Sequence, residues 1–439
     1  MAIPSTAGPD HSLQLGLLNA FQPLPFLSDL PKMVSDCKVT VTIPVKNEAQ
    51  RLPQTLAALC HQIDLQGQPF GHRDYEVIVL ANNCTDRSAE IVRGFGREHP
   101  TFQLHLVEAD LPRKHACVGH ARKWLMDEAC RRQHSVGNLS AIIASTDGDT
   151  VVAPTWIAAT LQEIRRGADA VGGRIQTDHS ERAKLDGFTR ACYLRQVAYG
   201  LLRLELESFL DPDPADPFPR HYYHNGASFA VTARVYLQAG GMPAVATSED
   251  IALYHALLRA GANIRHSPLV QVHTSVRLAG RAVLGMADQL SAWHNLKDTG
   301  RAQFVEPVEA ASVRLSCHRR LRLLLSKQGR RGGRKAGFPL RLLAAQLAVN
   351  LDWLTAQLEK QMPLGWLFHE VEAEQARLGD WRRRWPAVPI QQAVSDLRIR
   401  NAFLRHARAE LQTAAWCGPG NLIQRPFSGR LAVCSGKLA

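Results

Sequence analysis

Ser140-Ala141-Ile142-Ile143-Ala144-Ser145-Thr146-Asp147-Gly148-Asp149-Thr150 joins an apolar run to an acidic turn. The pattern predicts a buried strand over Ser140–Ser145 whose carboxyl end presents two carboxylates two residues apart. Hard divalent ions such as Mg²⁺ and Mn²⁺ take oxygen ligands and are held by one or two carboxylates plus substrate phosphates. The turn is therefore a candidate metal and diphosphate site. Asp-Gly is also ordinary turn chemistry, so the order of the surrounding elements decides its weight.

Working outward, Lys38–Pro44 (KVTVTIP) and Tyr75–Leu80 (YEVIVL) read as strands, and Leu104–Val107 is strand-like. Helical patterns fall between them over Leu52–Gln62, Asp86–Phe95 and His115–Arg132. Thr155–Arg166 follows as a helix, with Pro154 at its start and Gly167 just past its end. Alternation of this kind predicts an α/β fold, a mostly parallel twisted sheet flanked by helices, with ligands at the carboxyl ends of the strands. Leu201–Leu210 is expected to be helical. Asp211–Arg220, with four prolines, is expected to be an exposed loop or lid. Ser248–Ala260 reads as a helix capped by Ser248 and closed by Gly261.

Three segments follow from composition. Residues 1–37 carry five scattered prolines and read as an N-terminal arm or cover, and 38–300 form the α/β unit. In 301–439 strand signals fade, Leu343, Leu347, Leu351, Leu354 and Leu358 recur at helical spacing, and Gly329–Gly337 reads as a flexible basic linker. At 45% hydrophobic and 21% charged, the 439-residue chain is neither mainly disordered nor fibrous. Residues 1–310 carry 30 Lys+Arg against 32 Asp+Glu, whereas 311–439 carry 22 against 8, so the net charge of +12 lies in the last third. That suggests a nearly neutral catalytic module followed by a helical part that either meets anionic lipid or nucleic acid or is a solvated arginine-rich face. The nine cysteines form no CxxC, which argues against a zinc ribbon or disulfide framework and fits a reducing cytoplasm. The N-terminus lacks the pattern of a signal peptide, and Phe338–Leu358 is too polar to span a bilayer. The expectation is a cytoplasmic protein, soluble or peripheral on the inner face of the membrane.

The first strand runs into Ile43-Pro44-Val45-Lys46-Asn47-Glu48 and the second into Leu80-Ala81-Asn82-Asn83-Cys84-Thr85-Asp86. Both put polar groups at the sheet edge that carries Asp147 and Asp149, where a base and ribose need partners; the same residues can equally cap the next helices. Further on come His224-Asn225-Gly226-Ala227-Ser228, Gly240-Gly241-Met242-Pro243 and Ser248-Glu249-Asp250. A carboxylate opening a helix in a cleft can act as a general base toward a hydroxyl, or can simply stabilise the helix.

In this order IPVKNE, NNCTD, the Gly119/Ala121/Arg122 element, TDGDT, HNGAS, GGMP and SED resemble the family 2 glycosyltransferases of the GT-A fold, particularly soluble, non-processive bacterial members, over roughly Lys38–Leu290. The resemblance implies metal-dependent, inverting transfer of one sugar from a UDP- or GDP-linked donor to an acceptor hydroxyl. It implies that Pro44, Glu48, Asn82, Asn83 and Asp86 line the nucleoside site with Gly226 nearby, that Asp147 approaches the ribose, and that Asp149 binds Mn²⁺ or Mg²⁺. It makes Asp250 the base with Glu249 beside it, and His273 a candidate metal ligand with His266 as competitor. Arg277, Arg281 and Arg122, with Arg113 and Lys114, would pair with the leaving diphosphate. Ala81 stands where many relatives carry a base-reading Asp, which shifts that contact to Asn82, Asn83 or backbone. No QxxRW element of processive synthases is present. A nucleotidyltransferase would want a glycine-rich loop that the first strand lacks. A non-enzymatic binder would rest on the basic region Ala311–Arg341 and on Trp381-Arg382-Arg383-Arg384-Trp385, with anionic membrane the favoured surface over nucleic acid.

Overall fold

A run of β-branched residues buried on both faces sets the centre of the molecule: Val39–Val45 (β1) pairs in parallel with Tyr75–Asn82 (β2) on one side and Ile142–Thr146 (β4) on the other. In the computed structural model, which describes residues 21, 24–177, 179–275, 286–299, 302–326 and 340–416, these strands belong to one eight-stranded sheet of order β3-β2-β1-β4-β7-β6-β8-β5. The remaining strands are Leu104–Ala109 (β3), Thr150–Val152 (β5), Ala170–Thr177 (β6), Ser228–Thr232 (β7) and Ile264–Thr274 (β8). The sheet is parallel through β3-β2-β1-β4 and between β6 and β8. β7 runs antiparallel to both β4 and β6, and β5 is antiparallel to β8. This is the mostly parallel, helix-flanked α/β sheet that the alternation of elements predicts.

Side-chain alternation along each strand divides the core between the two faces. Val77 and Val79 point with Val41 and Ile43 toward the helices 52–60, 88–98 and 156–165, where Leu56, Val92 and Trp156 pack. Ile78 and Leu80 face Leu125 of the helix Val118–Ser135. Ile143 meets Met126, Tyr236 and Leu257 on that second face. The described part of the N-terminal segment is a cover rather than a loose arm. Leu27 inserts beside Ile78 and Leu80, and the Arg132 guanidinium donates to the carbonyl of Pro31 at 2.8 Å.

Two expectations about elements are corrected. Ser248 sits at the start of the helix Glu249–Arg259, but in the left-handed region (φ 56°) and with no capping side-chain bond. Asp211–Arg220 is not a lid, because none of its residues lines the cavity described below and its carboxylates pin it down. Asp216 is buried and accepts from Arg220 (2.8 Å), Arg265 (2.9 Å), and the backbone and ring nitrogens of His266 (2.9 and 2.7 Å). Asp211 is paired to Arg322 at 3.0 Å.

The C-terminal part is helical with its own apolar cluster, in which Cys317 and Leu321 meet Leu343, Leu347, Leu354, Leu367 and Val371. Some of its positive charge is paired within the molecule. Arg314 pairs with Glu306 and Glu372, and Arg405 with Glu205. Trp381 is buried, donates to Glu306 at 3.0 Å and lies under Arg314, so it offers no stacking surface for bases or lipid. The last helix, Ile390–Trp416, packs along the long helix Gly187–Leu210. Among the described residues no helix is long and apolar enough to cross a membrane.

Candidate active site

The carboxyl ends of β1, β2 and β4 open into one cavity of about 610 Å³. Its frame is Arg122. The helix Val118–Ser135 begins at the cavity wall, and Gly119 in its first turn lets the chain at Val245 come close: a Cβ there would lie 2.0 Å from the Val245 carbonyl oxygen. One turn on, Arg122 is 3% exposed and donates to Glu249 (3.0 Å), Asp147 (2.6 Å), Ser145 Oγ (2.5 Å) and the carbonyl of Gly226 (3.0 Å). One guanidinium thus ties together the strand end, the acidic turn, the β7 entry and the start of the 249–259 helix. Burial works against its charge, but Asp147 and Glu249 outweigh that and hold it above its ordinary value. Burial also raises the carboxyl of Asp147; Arg122 opposes the rise and Asp149 adds to it.

The two acidic residues of the 249–259 helix differ in environment. Glu249 is buried and ion-paired to Arg122. Asp250 lines the cavity, and its Oδ2 accepts from the Gly226 N–H and the Asn225 amide, both at 3.3 Å, while Oδ1 accepts from the Ile251 N–H at 2.8 Å. These bonds orient the carboxylate into the cavity, and among the described residues no cation is paired to it, whereas Glu249 is taken up by Arg122.

At the β2 end, Asn82 is 3% exposed, lines the cavity, and its Oδ1 has no hydrogen-bond partner among the described residues. A buried acceptor of this kind that faces a cavity is open to a donor from a ligand or a water. The neighbouring loops are stitched by a different asparagine, Asn47, which in the left-handed region (φ 57°) accepts from the Thr85 N–H at 2.7 Å. Left-handed residues recur in Asn83, next to the cavity-lining Asn82, and in Ser248, which lines the cavity, and such outliers concentrate at functional sites.

Residues 40–195 match the model of glycosyl transferase family 2. This segment belongs to that family. The chain is similar to glycosyltransferase AglE of Haloferax volcanii, 25% identical over 196 residues, which is 43% of this chain and 58% of the relative. It thus spans little more than half of that protein. Among solved structures it is similar to the mannosyltransferase PcManGT from Pyrobaculum calidifontis in complex with GDP-Man and Mn²⁺, at TM-score 0.41 and 17% identity over 89% of this chain and 97% of that one. It is also similar to S. aureus TarS in complex with UDP-GlcNAc, at TM-score 0.38 and 12% identity over 78% and 92%.

Within and beside the family 2 segment, Pro44, Glu48, Asn82, Arg122, Asp147, Asp149, Gly226, Glu249 and Asp250 all line the one cavity. Others depart from expectation. Asn83 exchanges two 3.1 Å bonds with the backbone of Leu111, so its side chain holds a loop rather than a base. Asp86 accepts from the N–H groups of Ala49 and Ser88 and from the Ser88 hydroxyl, a bracing role away from the cavity. Arg122 braces carboxylates instead of standing ready for a diphosphate. Arg113 and Lys114 are exposed and do not line the cavity. Arg277 and Arg281 lie outside the described residues.

The histidine expectation is also corrected. His273 is exposed on β8, between partners Val151 and Gln176, and alternation turns it away from Thr274, which lines the cavity. His266 is held by Asp216 at 2.7 Å. Ser275, which no sequence pattern marked, donates to Asp149 Oδ2 at 2.6 Å. Among the described residues no group of three or more His, Cys, Asp or Glu could hold an ion alone. The described wall does carry five carboxylates, Glu48, Asp147, Asp149, Glu249 and Asp250, against two cations, Lys46 and Arg122. That hard-oxygen set fits a divalent ion that completes its shell from a diphosphate, and does not form a protein-only cage.

Proposed function

We propose that this chain transfers one glycosyl unit from a nucleoside-diphosphate sugar, UDP- or GDP-linked, to an acceptor hydroxyl with inversion at the anomeric carbon. One observation carries the reading: a cavity in and beside the family 2 segment brings together the Asn82 acceptor, the Asp147–Asp149 turn and Asp250, with Arg122 tying that turn to Gly226 and to Glu249 beside the base. Asn82 suits a base N–H, with Pro44 and Glu48 beside it. An anionic diphosphate entering a wall with five carboxylates and two cations needs further positive charge. Asp149 is the residue to hold a divalent Mn²⁺ or Mg²⁺ with the diphosphate, and such an ion would offset charge on the leaving group. Asp250 takes the proton of the acceptor hydroxyl as its oxygen attacks the face of the anomeric carbon opposite the leaving group. Glu249, buried against Arg122, fixes the helix start that carries the base.

Nucleoside diphosphate release from UDP- and GDP-hexoses with Mn²⁺ tests this on the full chain. Turnover of one donor class, falling by about 10²-fold or more in Asp250→Asn, is expected. No turnover, or equal turnover in the variant, would overturn the reading.

A further inference from the structure

The proposed reaction leaves one part of the cavity wall, an end distinct from the acidic turn in its lining residues, unassigned. That end is walled by the helices Gly187–Leu210 and Met286–Thr299 and by the segment that re-enters the sheet before β7. Tyr193 and Trp293 are both buried there and meet edge to face, ring centroids 6.3 Å apart. Tyr222 and Tyr223 meet tilted by 34°, centroids 4.5 Å apart, with hydroxyls 3.3 Å apart. Burial pushes both phenols upward, so they stay protonated and can donate. Space for this wall is built in: a Cβ on Gly200 would lie 2.3 Å from the Tyr222 ring. The amides of Gln196 and Gln289 complete it.

Aromatic faces beside neutral donors and acceptors match one class of ligand. A pyranose has an apolar C–H face and a rim of hydroxyls, and needs both. An acyl or prenyl chain would leave the amides and phenols unpaired. A phosphate-bearing acceptor would face the carboxylate excess of the adjoining wall. Resting on the glycosyl-transfer reading, we infer that this end is the acceptor subsite and that it takes an uncharged pyranose, the terminal sugar of a neutral glycan or glycoside. Its hydroxyl oxygen forms the bond to the anomeric carbon of the donor, its proton passes to Asp250, and the bond to the diphosphate oxygen breaks with the electron pair leaving on the nucleoside diphosphate.

The test uses the full chain in two stages. UDP and GDP are first titrated with Mn²⁺. A panel of neutral mono- and disaccharide methyl glycosides (glucose, galactose, mannose, N-acetylglucosamine), glucose 6-phosphate and a short prenyl phosphate is then added to the nucleotide complex, followed by tryptophan fluorescence. A saturable response to a neutral glycoside is expected. It should weaken about tenfold in Gln196→Ala and Gly200→Ala and vanish in Trp293→Phe, while nucleotide affinity stays within about twofold. Melting curves identify a variant that fails to fold, and Gln196→Ala, on a half-buried side chain, keeps the comparison open. Response to the phosphates alone, to none of the panel, or loss of nucleotide and glycoside binding together in Gln196→Ala would overturn the acceptor assignment. Failure of the first titration would instead sink the glycosyl-transfer reading beneath it.

Discussion

Arg122 is the buried cation shared by two carboxylates. Replacing it with Met leaves Asp147 and Glu249 facing each other with no cation, and a buried pair broken on one side costs about 3–5 kcal/mol. Urea unfolding of Arg122→Met should show that loss; a change below about 1 kcal/mol would contradict the brace. Asp250→Asn keeps its neighbours and should leave stability and nucleotide affinity unchanged while transfer falls. His318 gives a pH signature. It stacks on Phe368 at 3.8 Å, its Nε2 is buried without a partner among the described residues, and burial lowers its pKa to about 3, with Glu372 opposing and Arg314 and Arg322 assisting. The unfolded chain therefore binds this proton first. The stability due to the neutral ring is complete above about pH 6.5 and declines as pH falls toward 3, by up to about 1.4 kcal/mol per pH unit. His318→Phe should flatten the pH dependence of unfolding by about one proton across that window; an unchanged slope would show that the ring does not titrate this way.

At the scale of elements, close approach and pinning govern what can move. Gly119→Ala drives a methyl into the Val245 carbonyl, a backbone atom that cannot swing aside, so stability should fall by about 1–3 kcal/mol. Asp216→Ala removes the acceptor shared by Arg220, Arg265 and His266, leaving Arg220 to Glu207 and Arg265 to Glu163, and should cost about 1–3 kcal/mol and free the 211–220 loop to limited proteolysis. A loop as protease-sensitive in wild type as in the variant would restore the lid reading. The four prolines correctly exclude a helix there, but composition says nothing of a carboxylate buried among three cationic or protonatable side chains. The strands β1, β2 and β4 were legible because burial on both faces makes them continuously apolar. β7 was harder, since its antiparallel course follows a long excursion that no local pattern marks.

Across the whole molecule, what could be read was what local chemistry dictates. The acidic turn, the polar strand ends and the Ser-Glu-Asp helix start announce themselves by residue type, and all reach one cavity. What could not be read is which side chains the protein keeps for itself: Arg122, Asn83 and Asp86 have the residue types of ligand contacts, yet they are committed to its own backbone and carboxylates. The basic last third is likewise less open than its charge count suggests, because Arg314, Arg322 and Arg405 are paired. Removing 390–439 should uncover Leu206, Val308 and Leu315 and lower the melting temperature by several degrees, about 2–4 °C for each kcal/mol lost. An unchanged melting curve would mean that this helix is dispensable. The central claim, a nucleoside diphosphate held by Asn82 and, with a divalent ion, by Asp149, is tested most directly by calorimetric titration of UDP and GDP with and without Mn²⁺. Wild type, Asn82→Ala and Asp149→Ala are the proteins to compare. Binding of one nucleotide that requires Mn²⁺, is lost in Asp149→Ala and is weakened about tenfold or more in Asn82→Ala is expected. Binding of neither nucleotide by folded wild type, or binding indifferent to Mn²⁺ and to both substitutions, would contradict it.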